Sequence, residues 1–337
     1  MKTNFNLQHH NSFGFNAVAK HFVEIDDTST LVRLFTTPEY QSENHLILGG
    51  GNNILLTKEL FDGIVIHMNN KGVKAIADEG DTVVVRAQAG EDWPGFVRRM
   101  VEKGLYGIEN LAHIPGKVGA APVQNIGAYG MELKDSFLKC EAINLENGKK
   151  RFFDKQECLF GYRSSIFKTM LRGQYVITSV DFQLQKHAEL ILDYGNIKTY
   201  LADHHIGQPT LLQLHDAICA IREAKLPDPK TLGNAGSFFK NPVIKPEQFE
   251  ALRLAFPDIP HYNEPNGKVK IPAGWLIEQA GWKGWRDEHV GVYEKQALVL
   301  VHYGDGKGRD IVTLARRIQE SVEAKFGICI SPEVNFI

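Results

Sequence analysis

The sequence predicts an α+β protein, and three observations carry that prediction. Short β-rich runs and helical stripes are mixed along the 337 residues without the regular strand, helix, strand rhythm of a doubly wound sheet. No G-x-G-x-x-G opens a helix after a strand, so a nicotinamide-type dinucleotide domain is not indicated. The length also exceeds what one hydrophobic core usually serves, which points to two domains.

The strands are expected at residues 46–48, 64–67, 82–87 and 176–184, where branched and aromatic side chains cluster between glycine turns. One clear helix interrupts them. Trp93, Phe96, Val97, Met100 and Val101 fall at i, i+3, i+4, i+7 and i+8, and Gly104 is placed to end it. Residues 186–209 form a polar, histidine-containing stretch, where the domain junction is expected. Helical spacing resumes over 210–223 through Leu211, Leu214, Ile218 and Ile221. Further on, a helix is expected around 273–280, a buried strand over 297–301, and a long helix with the face Ile311, Leu314, Ile318 and Val322. Gly327 closes that helix, and 328–337 reads as a final strand.

Hydrophobic residues make up 43% and charged residues 23% of the chain, the composition of an ordinary globular protein. The 38 basic and 40 acidic side chains are scattered, with no basic block to neutralise a phosphate backbone, so nucleic acid is excluded as a partner. The opening 15 residues lack an apolar leader, and no run approaches the roughly 18 apolar residues of a membrane span. A cytoplasmic protein without a membrane partner is therefore expected. Cys140, Cys158, Cys219 and Cys329 lie far apart with no C-x-x-C spacing, so no metal site is expected and the thiols read as reduced and mostly buried.

Five stretches carry candidate chemistry. LGGGNN places Gly49, Gly50, Gly51, Asn52 and Asn53 directly after a strand, where successive backbone N–H groups can form a nest for a pyrophosphate. A tight structural turn explains the same glycines. IPGKVGAAPVQNIGAYG, residues 114–130, interleaves Gly116, Gly119, Gly127 and Gly130 with alanines, so a flat ligand and its phosphates can lie against the main chain. Gln124, Asn125 and Tyr129 add polar groups there, although a glycine-rich crossover between strands would use similar residues. In GYRSSIFK, Tyr162 and Arg163 sit among apolar neighbours, and an arginine so placed needs an anion, a ligand's or a structural carboxylate's. GNAGSFFKNP sets Ser237 between Gly236 and two phenylalanines without a G-x-S-x-G elbow. A nucleophilic hydrolase is thereby disfavoured, leaving proton donation or a plain turn. Glu333 in PEVNF, taken alone, reads as a solvated surface charge.

In this order, LGGGNN, GIENLAHIPGKVGAAPVQNIGAYG, GYRSSIFK, LPDPKTLGNAGSFFKNP and the terminal PEV resemble the UDP-N-acetylenolpyruvoylglucosamine reductases of peptidoglycan synthesis nearly end to end. The resemblance implies an FAD-binding domain over 1–200, of the type shared with vanillyl-alcohol oxidase and p-cresol methylhydroxylase and built of two subdomains. It implies a smaller α+β substrate domain over 201–337, whose last segment, 328–337, returns to the active site. FAD would be held non-covalently by Gly49, Gly50, Gly51, Asn52 and Asn53 and by Pro115, Gly116, Gly119, Gln124, Asn125, Gly127, Ala128 and Tyr129. NADPH would reduce the flavin, which would pass a hydride from N5 to the enolpyruvyl methylene of the nucleotide sugar. Ser237 would supply the proton, with Arg163 and Glu333 polarising the substrate carboxylate and stabilising the enol-like intermediate. Tyr162, Tyr194, Lys225 and Asn241 would bind the substrate, Tyr194 as the closing tyrosine of the branch with an extra loop. A monomer is expected.

The likeness departs at two places. Asn52 stands where the family usually has serine, and residues 284–296 carry Glu288, His289 and Tyr293 where glycines and a histidine are more usual. Two other readings compete. An oxidase of the same flavin fold often tethers its flavin through cysteine or histidine; neither flavin loop has a cysteine, and His113 is the only histidine nearby. A silent nucleotide-sugar binding protein would not require Ser237, Arg163 and Glu333 together.

Overall fold

The computed structural model describes residues 1–337 and divides the chain into two compact units. The first comprises Met1–Phe5, Ala19–Gly50 and Phe61–Ala224. It holds two sheets. In one, the strands run in the order Lys2–Asn6, Val18–Ile25, Leu60–Met68, Asn44–Leu48, and the last two pair in parallel. The other is antiparallel, in the order Lys150–Asp154, Phe137–Asn144, Tyr175–Gln185, Thr82–Gln88, Val73–Glu79. Tyr175–Gln185 lies at its centre and is buried continuously from Val176 to Phe182, with the buried Asp181 among its apolar residues paired to Arg86 at 2.6 Å.

The helix Trp93–Glu102 forms where the stripe requires it. Asp92 caps it by accepting the Gly95 N–H at 3.1 Å, Pro94 sits in its first turn, and Trp93, Phe96, Val97, Met100 and Val101 are all buried. Trp93, Phe96 and Phe182 bring their rings together in the core, with centroids 5.0–5.9 Å apart. Leu211, Leu214, Ala217, Ile218 and Ile221 join the same core, so the helix Leu211–Lys225 belongs almost wholly to this unit. The unit boundary therefore follows Ala224 and not the polar stretch 186–209, which itself contains the helix Ile197–Asp203 with Ile197 and Leu201 buried. The short helices Thr28–Leu34 and Pro38–Ser42 pack into a separate apolar cluster; they are too brief to show helical periodicity in the sequence.

The second unit comprises Asn6–Val18, Gly51–Leu60 and Lys225–Ile337. Gly233–Ser237, Val299–His302 and Val290–Val292 form an antiparallel sheet, and Val243–Ile244, Val269–Lys270 and Tyr262–Asn263 a smaller one. The helices Pro246–Ala255, Ala273–Gln279 and Gly308–Phe326 contribute to its core, and Gly327 ends the longest of them at φ 63°. The expected strand over 328–337 is reduced to Asn335–Phe336, which pairs in parallel with Ile54–Leu55. Pro332 has no N–H to donate, and the preceding residues attach through single bonds, such as Lys240 N–H to the Ser331 carbonyl at 2.9 Å.

All four cysteines are free thiols, but only Cys140 and Cys158 are buried. Cys329 is exposed, contrary to expectation, because it follows the helix-ending Gly327, and its thiol donates to Glu323 Oε1 at 3.1 Å. No helix is long and apolar enough to cross a membrane.

Candidate active site

The first glycine turn leaves the strand Asn44–Leu48, and the unit boundary falls within it, between Gly50 and Gly51. In the first unit, a Cβ on Gly49 would stand 3.3 Å from Ala120 Cβ and 3.6 Å from Lys117 Cβ, so this turn lies against the second glycine loop. In the second unit, Gly51 adopts φ 68°, and a Cβ there would fall 2.0 Å from the His10 carbonyl oxygen. Only glycine fits, so the turn has a structural need for it as well as the capacity to form a nest. Asn52 and Asn53 are half-buried. The Asn53 carbonyl accepts from Asn335 N and Nδ2 at 3.1 and 3.0 Å, and its own Nδ2 donates to the Glu333 carbonyl at 3.4 Å.

The second glycine loop is held inside the first unit. Gly116 accepts the Trp93 N–H at 3.0 Å, and Gly119 donates to the Ala89 carbonyl at 2.9 Å, packed so closely that a Cβ would sit 2.5 Å from Ala89 Cβ. Pro115 is exposed beside them. Asn125 is fully buried at φ 46°; its Oδ1 accepts from Lys134 N, and its Nδ2 donates to Glu132 Oε2 and the Gly161 carbonyl. That side chain is committed within the protein, and what it leaves for a ligand is its backbone. Gln124 accepts from Lys168 Nζ at 3.4 Å, while Gly127 and Ala128 form a two-residue strand with Met131 and Glu132.

Arg163 sits at φ 53° and donates from Nη2 to the Gly127 carbonyl at 2.6 Å, with its guanidinium 5.6 Å from the Tyr162 ring centre. A side chain at position 127 would meet Arg163 Nη1 at 2.8 Å, so the absence of one lets the guanidinium come close to the loop. Tyr129, at φ 47°, has its phenol pushed above the ordinary range by burial. The Tyr194 ring rests on Gly130, occupying the space a Cβ there would need, and is otherwise exposed.

Arg222 belongs to this cluster and escaped the sequence reading. Its Nε donates to the His113 carbonyl at 3.1 Å, and burial lowers the pKa of its guanidinium, which feels Tyr129 and Arg163 nearby. It makes no ion pair with a carboxylate, and a desolvated cation so placed needs an anion. The signal was available: Arg222 lies four residues after Ile218, on the flank of the stripe that buries the helix Leu211–Lys225.

In the second unit, Ser237 ends the strand Gly233–Ser237 after a register shift opposite Val299, with Gly236 at φ 67° and its N–H donating to Asn234 Oδ1 at 2.9 Å. Such a bulge re-aims a side chain. Ser237 is exposed, and its hydroxyl makes no hydrogen bond within the chain. The next residue, Phe238, accepts the Glu333 N–H at 2.8 Å, and the Asn53 Nδ2 donates to the Glu333 carbonyl, so the terminal segment is tied both to the neighbour of Ser237 and to Asn53. Asn241 Oδ1 accepts the Ala273 N–H at 2.9 Å, capping the helix Ala273–Gln279, and Lys225 is half-buried where this unit begins. Of the atypical segment, Arg286 stacks 3.7 Å over the Tyr303 ring, and Asp287 Oδ1 accepts from His289 and Val290 N–H.

The structure thus gathers Gly127, Tyr129, Arg163 and Arg222 in one unit and Asn53, Ser237 and Glu333 in the other. Two guanidinium groups beside backbone bare of side chains can hold a flat anionic cofactor, which is the character of a flavin nucleotide. A hydroxyl one residue from the carbonyl that holds the Glu333 main chain is of a type that can move a proton.

Comparison with known proteins finds two family matches along the chain. Residues 19–151 match an FAD binding domain family, and residues 228–337 match the C-terminal domain of UDP-N-acetylenolpyruvoylglucosamine reductase. A UDP-N-acetylenolpyruvoylglucosamine reductase from Flavobacterium johnsoniae is 46% identical over 100% of this chain and 99% of its own length. One from Bacteroides fragilis is 45% identical over the whole of both chains, and one from Pseudomonas aeruginosa is 45% identical over 98% and 96%. The crystal structure of the reductase from Thermus caldophilus superposes with a TM-score of 0.67 at 21% identity, covering 98% of this chain and 97% of its own, and so shares the fold. Full-length identity at this level, on a chain whose glycine loops and Ser237 segment are built as described, makes this protein a member of the UDP-N-acetylenolpyruvoylglucosamine reductase family.

Proposed function

We propose that this protein is an FAD-dependent oxidoreductase that reduces UDP-N-acetylenolpyruvoylglucosamine to UDP-N-acetylmuramate in peptidoglycan precursor synthesis, with NADPH as the electron source. The observation that carries the reading is Ser237: an exposed, unbonded hydroxyl set on a bulge next to the residue that anchors Glu333, in a chain similar along its whole length to reductases of that name. Bound FAD would supply the redox chemistry by which the electrons of NADPH reach the enolpyruvyl double bond. The protein supplies everything else.

The two glycine turns and their backbone N–H groups would hold the FAD diphosphate without a covalent link. Arg163 holds the anionic end of the enolpyruvyl group, aimed by its bond to the Gly127 carbonyl. Ser237 gives the proton to the carbon bearing the ether oxygen, and Glu333 steadies the charge that develops beside it. Lys225 and the Nδ2 of Asn241, whose Oδ1 is already used on Ala273, bind the substrate diphosphate, and Tyr162 also binds the substrate. Tyr194, resting on Gly130 and exposed, closes over the bound nucleotide and keeps water out. We place the reaction in the cytoplasm, in a monomer.

Anaerobic mixing tests this reading. The yellow protein should bleach with NADPH and regain its colour on addition of the enolpyruvyl nucleotide sugar. Bleaching without recovery would refute the substrate assignment, and flavin that stays attached after acid precipitation would refute the non-covalent site and favour a tethered oxidase.

A further inference from the structure

Two lysines of the first unit stand where the roles above leave them unused. Lys117 lies inside the second glycine loop, between Gly116, which accepts from Trp93 N, and Val118, whose N–H donates to the Glu91 carbonyl at 2.9 Å. Lys117 is half-buried, and its stem runs along the first glycine turn, 3.6 and 3.7 Å from the Cβ position of Gly49. Lys71 approaches from the neighbouring segment and rests its ammonium on the Gly90 carbonyl.

The two ammonium groups are close enough to interact, and neither forms an ion pair. The nearest carboxylates are engaged elsewhere. Glu91 accepts the Gly72 N–H at 2.7 Å and pairs loosely with Arg99 at 3.9 Å, while Asp92 caps the helix Trp93–Glu102. Burial, and next the charge of Lys71, pull the Lys117 ammonium below the ordinary lysine range. His67 faces the same pair and cannot balance it: burial holds its imidazole below the usual value, and both lysines push it further that way, against the pull of Glu24 at 3.4 Å. A like-charge pair set against glycine backbone destabilises the free protein and becomes favourable only when an anion arrives.

We propose that Lys71 and Lys117 form a dedicated anion subsite beside Gly49, which grips the diphosphate of the adenosine half of the cofactor and adds charge to what the backbone nest provides. The proposal rests on FAD being the cofactor. It assigns the two lysines to retention of the cofactor, with no part in the reaction.

The test is binding, read by quenching of flavin fluorescence. The full-length protein, freed of flavin by dialysis, is titrated with FAD, with riboflavin, which has no phosphate, and with ADP as competitor, over a series of KCl concentrations. Lys117→Met should weaken FAD about 10- to 100-fold, the range for one lost hydrogen bond between charged groups, and flatten the KCl dependence. Riboflavin binding should not change, ADP should compete in the parent and poorly in the variant, and Lys117→Arg should keep FAD affinity. Removing the repulsion should leave the flavin-free variant at least as stable to heat as the parent, which separates lost binding from lost folding. Lys71→Met, at an exposed position, repeats the test without touching the loop. FAD affinity in both methionine variants within about twofold of the parent, with the same KCl dependence, would overturn the subsite while leaving the cofactor reading intact. A parent that binds riboflavin as well as FAD would overturn the cofactor reading and the subsite with it.

Discussion

Replacing Ser237 by alanine removes one hydroxyl whose structural contribution can be bounded. The hydroxyl makes no hydrogen bond in the chain and is exposed, and the backbone around it is held independently by Phe238 N–H to the Leu298 carbonyl at 2.8 Å and Glu333 N–H to the Phe238 carbonyl at 2.8 Å. No buried partner is orphaned, so the stability change should stay within about 0.5 kcal/mol. Loss of a positioned proton donor should instead cost about 100- to 10,000-fold in turnover, equivalent to about 2.7–5.5 kcal/mol of transition-state stabilisation. Stopped-flow absorbance separates the two half-reactions. Bleaching by NADPH should proceed at the parent rate, and colour recovery with the enolpyruvyl substrate should slow by that factor with little change in the substrate concentration needed for half-saturation. Recovery at the parent rate would remove Ser237 as proton donor. A large fall in thermal stability would show instead that the bulge depends on the hydroxyl, against its lack of bonds.

Three further outcomes follow from the packing. Gly119→Ala drives a methyl to 2.5 Å from Ala89 Cβ at a residue whose N–H is bonded to the Ala89 carbonyl, so urea unfolding should show a loss of about 1–3 kcal/mol. Asn241→Ala should cost about 1 kcal/mol by uncapping Ala273, whereas Asn241→Asp keeps the acceptor at a helix N-terminus and should retain stability while raising the substrate KM through repulsion of a diphosphate; equal KM values in parent and aspartate variant would remove Asn241 from the substrate site. Tyr40 donates to the Leu145 carbonyl at 2.6 Å, and burial pushes its phenol up to about 12. Its contribution is complete below the unfolded value near 10 and is lost as pH rises towards about 12, so the deficit of Tyr40→Phe, about 1 kcal/mol at neutral pH, should shrink in alkaline unfolding titrations.

Most long elements were legible because their burial repeats with a period the chain displays. The stripe from Trp93 to Val101 and the face from Ile311 to Val322 each pack one continuous surface, and the run from Val176 to Phe182 is buried on both faces of its strand. Thr28–Leu34, Pro38–Ser42 and the paired dipeptides of the second unit were not, since two to seven residues do not complete a recognisable period. The helix Leu211–Lys225 was placed correctly but assigned to the wrong side of the junction, because periodicity says that a face is buried and not against which core.

The site divides in the same way. Sequence alone named residues with the capacity for chemistry, since glycines without side chains, one hydroxyl and a few charges are chemical identities that folding does not alter. Only the tertiary structure decided their employment. Asn125 is spent on Lys134, Glu132 and Gly161, Asn241 caps a helix while keeping its amide free, and Gly51 is required by the His10 carbonyl as much as by any ligand. It also revealed Arg222 and the pair Lys71 and Lys117, whose significance lies in having no carboxylate partner. Hydrogen bonds and ion pairs form between residues tens of positions apart, so whether a polar group is satisfied is a property of the packed chain that linear order does not contain.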